Sequence, residues 1–412
     1  MYIYNRKMKS NRIIAIVNCS DKKEKAFELA RSLTEKNVYV EIFDAQKKNR
    51  IKALEPSGII CVGGKCAAGD YADTNAKFFC LTDNNSDLDN FLFNELKFSK
   101  KSDFNDFVTA VVSALKNRIG DKKVLCALSG GVDSAVVAAL INRVSPKGLT
   151  CVFVDHGLLR KGEREEVEQT FKCDQGINLI TIDASQRFLD KLGGVGDPEQ
   201  KRKIIGEEFI RVFESEAKKL GKVDFLAQGT IYPDILESIK GVKTHHNLAL
   251  PDVLDFDEMI EPLQFLYKPE VRQLGLALGL TDKSVMRQPF PGPGLGVRVL
   301  NEVTKEKLDI LRDADLILRQ EIASAKLDTK IWQYFAVLPN IKSVGVKDEK
   351  RTYGNTIILR AVNSVDAMSA TIYPIPFEVL QKISQRITAE VKDITRVVYD
   401  ITDKPPGTIE WE

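Results

Sequence analysis

Histidine is scarce in this chain, with 3 among 412 residues. They are His156, His245 and His246, so residues 1 to 100 offer no imidazole for acid–base chemistry. The 7 cysteines are odd in number and form no CxxC pair of the kind that a zinc site needs. We therefore expect reduced, buried thiols and neither a disulfide framework nor a zinc centre.

Excess charge and long apolar runs are also absent. The formal net charge is +2 and no long run carries one sign, so the sequence predicts neither a nucleic-acid nor a membrane partner. The apolar run Ile13 to Val17 is too short for the core of a signal peptide, and no later run would span a bilayer. We expect a cytoplasmic protein.

The composition is that of a folded protein, with 43% hydrophobic and 29% charged residues, and the length predicts two to three domains. We place them at residues 1–100, 101–290 and 291–412. The first two alternate β-like runs with helical segments, which predicts parallel βα units. In 101–290 this order indicates a doubly wound sheet that binds ligands beyond the carboxyl ends of its strands. The last part changes to an α+β order.

One motif of the middle part carries clear chemistry. Residues Ser129 to Ser134 (SGGVDS) run from a buried strand into an apolar helix, so backbone N–H groups lie at a helix N-terminus, where anions bind. No lysine follows the last glycine as it does in a Walker A loop, and the serine hydroxyls suit a pyrophosphate. The simpler alternative is a glycine-rich turn in which Asp133 and Ser134 cap the helix.

At this loop the sequence resembles the N-type ATP pyrophosphatases, and further blocks downstream resemble GMP synthetases in particular. Those blocks are FVDHGLLRKGE (153–163), GVGDPEQKRKIIG (194–206), LAQGTIYPDILES (226–238), VKTHHN (242–247), RQPFPGPGLGVRVL (287–300) and the tail DKPPGTIEWE. The resemblance implies an α/β protein: a doubly wound ATP pyrophosphatase domain, preceded by a half-length α/β glutaminase-like domain and followed by an α+β dimerisation domain.

The resemblance also implies a reaction. The enzyme would be a C–N ligase of purine biosynthesis that converts XMP, ATP and ammonia into GMP, AMP and pyrophosphate with Mg²⁺, through an adenylyl-XMP intermediate. It would act as a homodimer through the C-terminal domain. The residues implied to hold ATP and pyrophosphate, with Asp133 also near Mg²⁺, are Ser129, Gly130, Gly131, Val132, Asp133, Ser134 and Val154.

A second group of implied catalytic residues lies in a segment without clear periodicity. Asp234 and Glu237 are three residues apart, which places them on one face of a helical turn, and Lys243, His245 and His246 follow. Taken alone, such a cluster is typical of a solvated charged loop, and paired histidines also suit a metal site. The resemblance instead implies a lid, with Lys243 at the polyphosphate and the acidic pair assisting Mg²⁺ or base chemistry.

The XMP site is implied in three places. Pro291, Gly292 and Pro293 form a turn with few side-chain atoms, where a planar purine would pack, although a domain hinge fits the same sequence. Cationic and tail residues would hold the phosphate and the purine edge. They are Arg202, Arg351, Lys404, Ile409 and Glu410.

The N-terminal part lacks what a glutaminase requires. A glutaminase needs a cysteine nucleophile in a G-x-C-x-G elbow and a histidine base, because the thiolate must form and later be protonated. After the strand AKFFCL the sequence reads Thr82-Asp83-Asn84, with Cys80 inside the strand, and residues 1 to 100 contain no histidine. We expect a catalytically dead domain and ammonia as the nitrogen source, free or supplied by a separate glutaminase subunit.

Two other functions stay open at this point. An NAD synthetase would share the SGGVDS loop, although that family lacks the PFPGPGLG and KPPGTIEWE blocks. A protein that binds nucleotides or a partner without catalysis would also keep the fold. The retained loop, acidic pair and Lys243 argue against this second alternative.

Overall fold

The computed structural model describes residues 12–20, 23–64, 68–81, 87–239, 256–347, 349–365 and 367–412. These residues form three sheets, one for each predicted domain. The first two sheets are entirely parallel, as the alternation of strand and helix predicts, and the third is mixed.

The N-terminal sheet has four strands in the order β2-β1-β3-β4. All six residues of β1 are buried, because helices cover both faces of the sheet. The elements are β1 (Ile13–Asn18), α1 (Glu24–Thr34), β2 (Tyr39–Asp44), α2 (Lys48–Leu54), β3 (Gly58–Val62) and β4 (Lys77–Cys80), with a 3-10 turn at Ala68–Tyr71 and a π-helical turn at Asn90–Glu95.

The central sheet has five strands in the order β7-β6-β5-β8-β9. Numbered within this domain the strand order is 3-2-1-4-5. This is a doubly wound arrangement, because the second and third strands are added on one side of the first strand and the fourth and fifth strands on its other side. The elements are α3 (Phe104–Ile119), β5 (Val124–Ala127), α4 (Val132–Val144), β6 (Leu149–Asp155), α5 (Glu163–Val167) continued by a π-helical turn (Glu168–Asp174), β7 (Leu179–Asp183), α6 (Ser185–Leu192), α7 (Pro198–Lys219), β8 (Val223–Ala227), α8 (Tyr232–Ile239), β9 (Phe256–Ile260), α9 (Lys268–Ala277) and α10 (Asp282–Val285).

The C-terminal sheet is built around one long strand, β12, which pairs antiparallel with β10, β11 and β13 and parallel with β14. Helices α11 and α12 pack on it. The elements are a 3-10 turn (Gly294–Val297), α11 (Lys305–Ser324), β10 (Gln333–Val337), β11 (Lys342–Lys347), β12 (Lys350–Asn363), β13 (Thr371–Ile372), α12 (Phe377–Glu390) and β14 (Ile394–Tyr399).

The N-terminal and central sheets share their hydrophobic packing. One core cluster contains residues of β1 to β3 together with α3, α4 and β5, so α3 lies between the two sheets. A second cluster joins the other face of the N-terminal sheet to Tyr232 and Ile235 of α8 and to Phe265. The side chain of Arg31 on α1 reinforces this contact, because it pairs with Glu270 at 2.7 Å and lies 4.5 Å from the ring centre of Tyr267.

Five of the described cysteines are reduced as expected, but only Cys126 and Cys151 of these are also buried, whereas Cys80 and Cys173 are exposed. Free thiols are found at Cys19, Cys80, Cys126, Cys151 and Cys173. Cys61 is disulfide-bonded, which the expectation of reduced thiols missed. Among the helices of the described ranges, none combines the length and apolarity needed to cross a membrane.

Candidate nucleotide site

The SGGVDS loop lies at the switch point of the central sheet, because β5 is its first strand and has β6 and β8 on its two sides. Two serines brace the loop: the Ser129 N–H donates to Ser134 Oγ at 3.2 Å, and Ser134 Oγ donates to the Gly131 carbonyl at 3.1 Å. Gly130 has a φ of +77°, which favours glycine. Ser129 and Gly131 stay exposed, so the start of α4 remains accessible to an anion.

Asp133, in the first turn of α4, faces a lysine that the sequence analysis did not identify. Lys268 Nζ donates to both carboxylate oxygens of Asp133, at 2.9 and 2.7 Å. Burial raises the pKa of Asp133, although Lys268 opposes this, and the nearby carboxylate of Asp234 raises it further. A lysine from the start of α9 therefore lies beside the loop, paired with the carboxylate of Asp133.

Asp234 and Glu237 lie on α8, as their spacing predicts. Asp234 Oδ2 accepts a hydrogen bond from the Ile231 N–H at 3.0 Å, which holds this carboxylate at the start of the helix. The structure thus brings Asp133 and Asp234 close enough to affect each other electrostatically. Lys243, His245 and His246 lie outside the described residues.

The chain after β8 approaches the loop very closely. A Cβ placed on Gly229 would lie 3.0 Å from the Asp133 carbonyl carbon and 3.0 Å from the Ser134 nitrogen. A glycine is required here because any side chain would push against the backbone of the first turn of α4. The LAQGT block therefore packs directly against the anion loop.

Arg287, which begins the RQPFPGPG block, is a second cation that the sequence analysis did not assign. Its Nη1 donates to the Gly130 carbonyl at 2.7 Å, and its Nη2 pairs with the buried Glu163. Burial of Glu163 opposes ionisation, but Arg160 and Arg287 together lower its pKa. The anion loop is therefore anchored to the segment that leads into the C-terminal domain.

The predicted purine turn docks against the loop that follows β6, and Val154, one of the residues implied to hold ATP, is the penultimate residue of that strand. Gly294, which follows Pro291, Gly292 and Pro293, has a φ of +59°. The Leu295 N–H donates to the Leu158 carbonyl at 2.8 Å. The sites predicted for the two nucleotides therefore lie along one edge of the central sheet.

The C-terminal tail is firmly held. Glu410 forms a two-bond ion pair with Arg298, at 2.8 and 3.0 Å, and accepts from Gln333 Nε2 at 3.1 Å. Arg360 Nε donates to the Ile409 carbonyl at 2.9 Å. In this structure the Glu410 carboxylate is therefore bound to protein groups, not directed at open space as a purine ligand would be.

Arg202 and Lys404 also have protein partners. Arg202 donates to the main-chain oxygen of Glu412, and the neighbouring, fully buried Lys201 pairs with the Glu412 side chain. Lys404 Nζ donates to the Ala367 carbonyl at 2.8 Å. The DPEQKRK block and the tail thus form one connected unit.

Arg351 stands apart from the other predicted XMP residues. It lies at the exposed start of β12, opposite Val346, whereas Arg360 of the same strand holds the tail. Nine residues of extended strand span about 30 Å, so the described part of one chain does not bring Arg351 to the tail.

A glycine-rich anion loop at the switch point of a 3-2-1-4-5 parallel sheet, with carboxylates and a lysine opposite it, defines a nucleotide-binding domain of the ATP pyrophosphatase class. Residues 107–172 match the family model of asparagine synthase. Residues 320–411 match that of the GMP synthase C terminal domain.

The glutamine-hydrolyzing GMP synthase of Acetivibrio thermocellus is 58% identical over 330 residues, which are 79% of this chain and 65% of that protein. The corresponding proteins of Clostridium botulinum and Clostridium tetani are also 58% identical, over 79% of this chain and 64% of their own length. The resemblance to GMP synthetases is thereby confirmed, and the chain spans just under two thirds of the length of these relatives.

Proposed function

We propose that this chain is a GMP synthetase that aminates XMP with ammonia. The observation that carries the proposal is the contact of Arg287 with Gly130, because it fastens the anion loop to the segment leading into the GMP synthase-like C-terminal domain. One edge of the central sheet would then carry both the pyrophosphate site and a second nucleotide site. An NAD synthetase does not account for the match over 320–411.

The proposed reaction has two steps, and the loop between Ser129 and Ser134 would take part in the first. The C2 oxygen of XMP attacks the α-phosphorus of ATP, and pyrophosphate leaves into the loop between Ser129 and Ser134. Ammonia then attacks C2, the C–O bond breaks with its electron pair going to AMP, and the nitrogen loses a proton. Backbone N–H groups and Lys268 stabilise the charge of the leaving pyrophosphate.

Mg²⁺ fits the donors that are present. Asp133 and Asp234 supply carboxylate oxygens beside the anion loop, and Mg²⁺ would displace Lys268 from at least one of the two Asp133 oxygens that it contacts. Mg²⁺ at nucleotide sites is bound through one or two carboxylates and the substrate phosphates. When bound, the ion would neutralise phosphate charge. The described residues contain no group of three or more such ligands, so the phosphates would complete the coordination.

Ammonia as the direct nitrogen source is supported by the sequence of the first domain. Residues 1 to 100 contain no histidine, and Cys80 is the last residue of the edge strand β4. A cysteine nucleophile there would have no imidazole to accept and return its proton. A separate glutaminase subunit remains part of the proposal as an optional source of ammonia.

A homodimer through the C-terminal domain is proposed on the basis of exposed apolar side chains. Val346, Tyr353 and Phe377 are each more than half exposed in this domain. Analytical ultracentrifugation should show a dimer, and Tyr353→Lys should shift it towards monomer.

The test of the function is formation of AMP and GMP from XMP and ATP. We expect turnover with ammonium and no glutamate from glutamine. Asp133→Asn should lower turnover by orders of magnitude because it removes a carboxylate at the polyphosphate, whereas the exposed Asp121→Asn should not. Glutamate formed at the rate of GMP would refute the nitrogen source, and no XMP-dependent AMP would refute the function.

A further inference from the structure

Gln228 is an anomaly at the edge of the central sheet. It follows β8 directly, is only 6% exposed, and neither its Oε1 nor its Nε2 has a hydrogen-bond partner among the described residues. Burying an amide without partners costs free energy, so native proteins rarely keep one unless a water or ligand satisfies it.

The position of Gln228 relates this amide to the proposed reaction. Its N–H donates to the Ile260 carbonyl at 3.0 Å, which continues the ladder beyond β8. The next residue, Gly229, touches the first turn of α4, where the pyrophosphate would bind. Gln228 therefore immediately precedes the glycine that packs against the anion loop.

Strand alternation shows which face the side chain occupies. Phe225 and Ala227 belong to the core cluster on the α4 side of the sheet, whereas Leu226 belongs to the cluster shared with α7 and the C-terminal domain. Gln228 is two residues after Leu226 and lies on the same face. This is the side from which a nucleotide held by the C-terminal domain would approach the loop.

The hydrogen bonds that this amide needs limit the kinds of ligand that it could bind. A phosphoryl oxygen accepts hydrogen bonds and could satisfy Nε2–H, but Oε1 needs a molecule that donates. Because Gln228 is almost completely buried, that molecule must be small unless the surrounding structure opens. Ammonia has the size of a water molecule and carries three N–H donors.

We propose that Gln228 binds the ammonia that attacks the adenylated purine. This inference rests on the proposed function and deepens it. Oε1 accepts one N–H of ammonia and leaves the nitrogen lone pair free to attack C2, while Nε2 donates to a phosphoryl oxygen of the adenylate. In the ligand-free enzyme a water molecule would occupy the same position.

The test compares Gln228→Met, which keeps the side-chain length, with wild type. We expect the KM for ammonium to rise about tenfold, as for loss of one hydrogen bond. XMP-dependent exchange of pyrophosphate into ATP, measured without ammonium, should change much less. The melting temperature of the free enzyme should change little, because the amide makes no hydrogen bond to a described protein group.

Two further variants make the outcome decisive. Gln228→Glu keeps an acceptor oxygen and should have a lower KM for ammonium than Gln228→Met. Asn142→Leu removes another amide with a buried, unpartnered oxygen, at the far end of α4, and should leave this KM unchanged.

The possible failures are distinguishable. An unchanged KM for ammonium in Gln228→Met, with active wild-type enzyme, would mean a structural water site and overturn the inference alone. An equal loss of pyrophosphate exchange would assign Gln228 to a nucleotide and also overturn it. Inactive wild-type enzyme would overturn both the inference and the proposed function.

Discussion

His156 provides a quantitative prediction about stability. It lies in the loop after β6 and is buried, and its Nδ1 accepts a hydrogen bond from the Leu158 N–H at 3.0 Å. Burial lowers its pKa from 6.5 to about 4, even though Asp155 and Glu163 favour the charged form; Arg312 adds to the lowering. The folded protein therefore keeps this imidazole neutral well into the acidic range.

The sign and size of the effect follow from proton linkage. Above about pH 6.5 the imidazole is neutral in the folded and in the unfolded protein, so its protonation does not reduce the free energy of unfolding. Between pH 6.5 and about 4 the unfolded chain binds a proton that the folded chain does not, so stability falls as the pH falls. The complete loss for His156 is roughly 3 kcal/mol.

His156→Asn should remove this dependence. The asparagine oxygen can replace Nδ1 as the acceptor for Leu158, but it does not titrate. Urea unfolding between pH 7.5 and 4 should show the stability difference between wild type and variant moving by roughly 3 kcal/mol in favour of the variant. Parallel pH profiles, or a histidine resonance of His156 that titrates near 6.5, would refute the account.

Substitutions test three other contacts. Gly229→Ala should weaken ATP binding and turnover about tenfold or more by displacing the first turn of α4, whereas Gly206→Ala, in open space on α7, should stabilise the helix by about 1 kcal/mol; equal kinetics for both would contradict the close approach. Glu410→Gln should lower the free energy of unfolding by about 3 kcal/mol, because the charge of the buried Arg298 then has no counter-ion. The double variant Glu410→Gln with Arg298→Met should regain this stability. Recovery of XMP binding in the double variant, measured by calorimetry, would exclude a direct role of Glu410. Arg31→Met should increase hydrogen exchange in α8 with little change in the central sheet, and unchanged exchange would show that this contact does not hold α8.

Local sequence determined the parts of this protein that depend on neighbours in the chain. The strand, glycines and apolar helix around Ser129 to Ser134 specify an anion loop because each feature acts within a few residues. The same holds for helix α7, which begins at Pro198 after the capping Asp197. The scarcity of histidine limits the chemistry of residues 1 to 100 however they fold, because no arrangement of a segment supplies a side chain that it lacks.

Strand boundaries in the C-terminal domain needed the tertiary structure. The apolar segment around Val337 to Val346 looks like one strand-forming region, but it contains the end of β10 and most of β11, which pair with different parts of β12. Pairing with β12 decides where each strand ends, and that pairing is a long-range property.

The electrostatics of the site were decided by tertiary structure alone. Lys268 reaches Asp133 across 135 residues, Arg287 reaches Gly130 across 157, and Arg298 reaches Glu410 across 112. Lysine and arginine occur throughout the surface of any protein, so their identity does not show which of them are buried or paired. Only the order of the strands, which brings distant loops to one edge of a sheet, selects these partners.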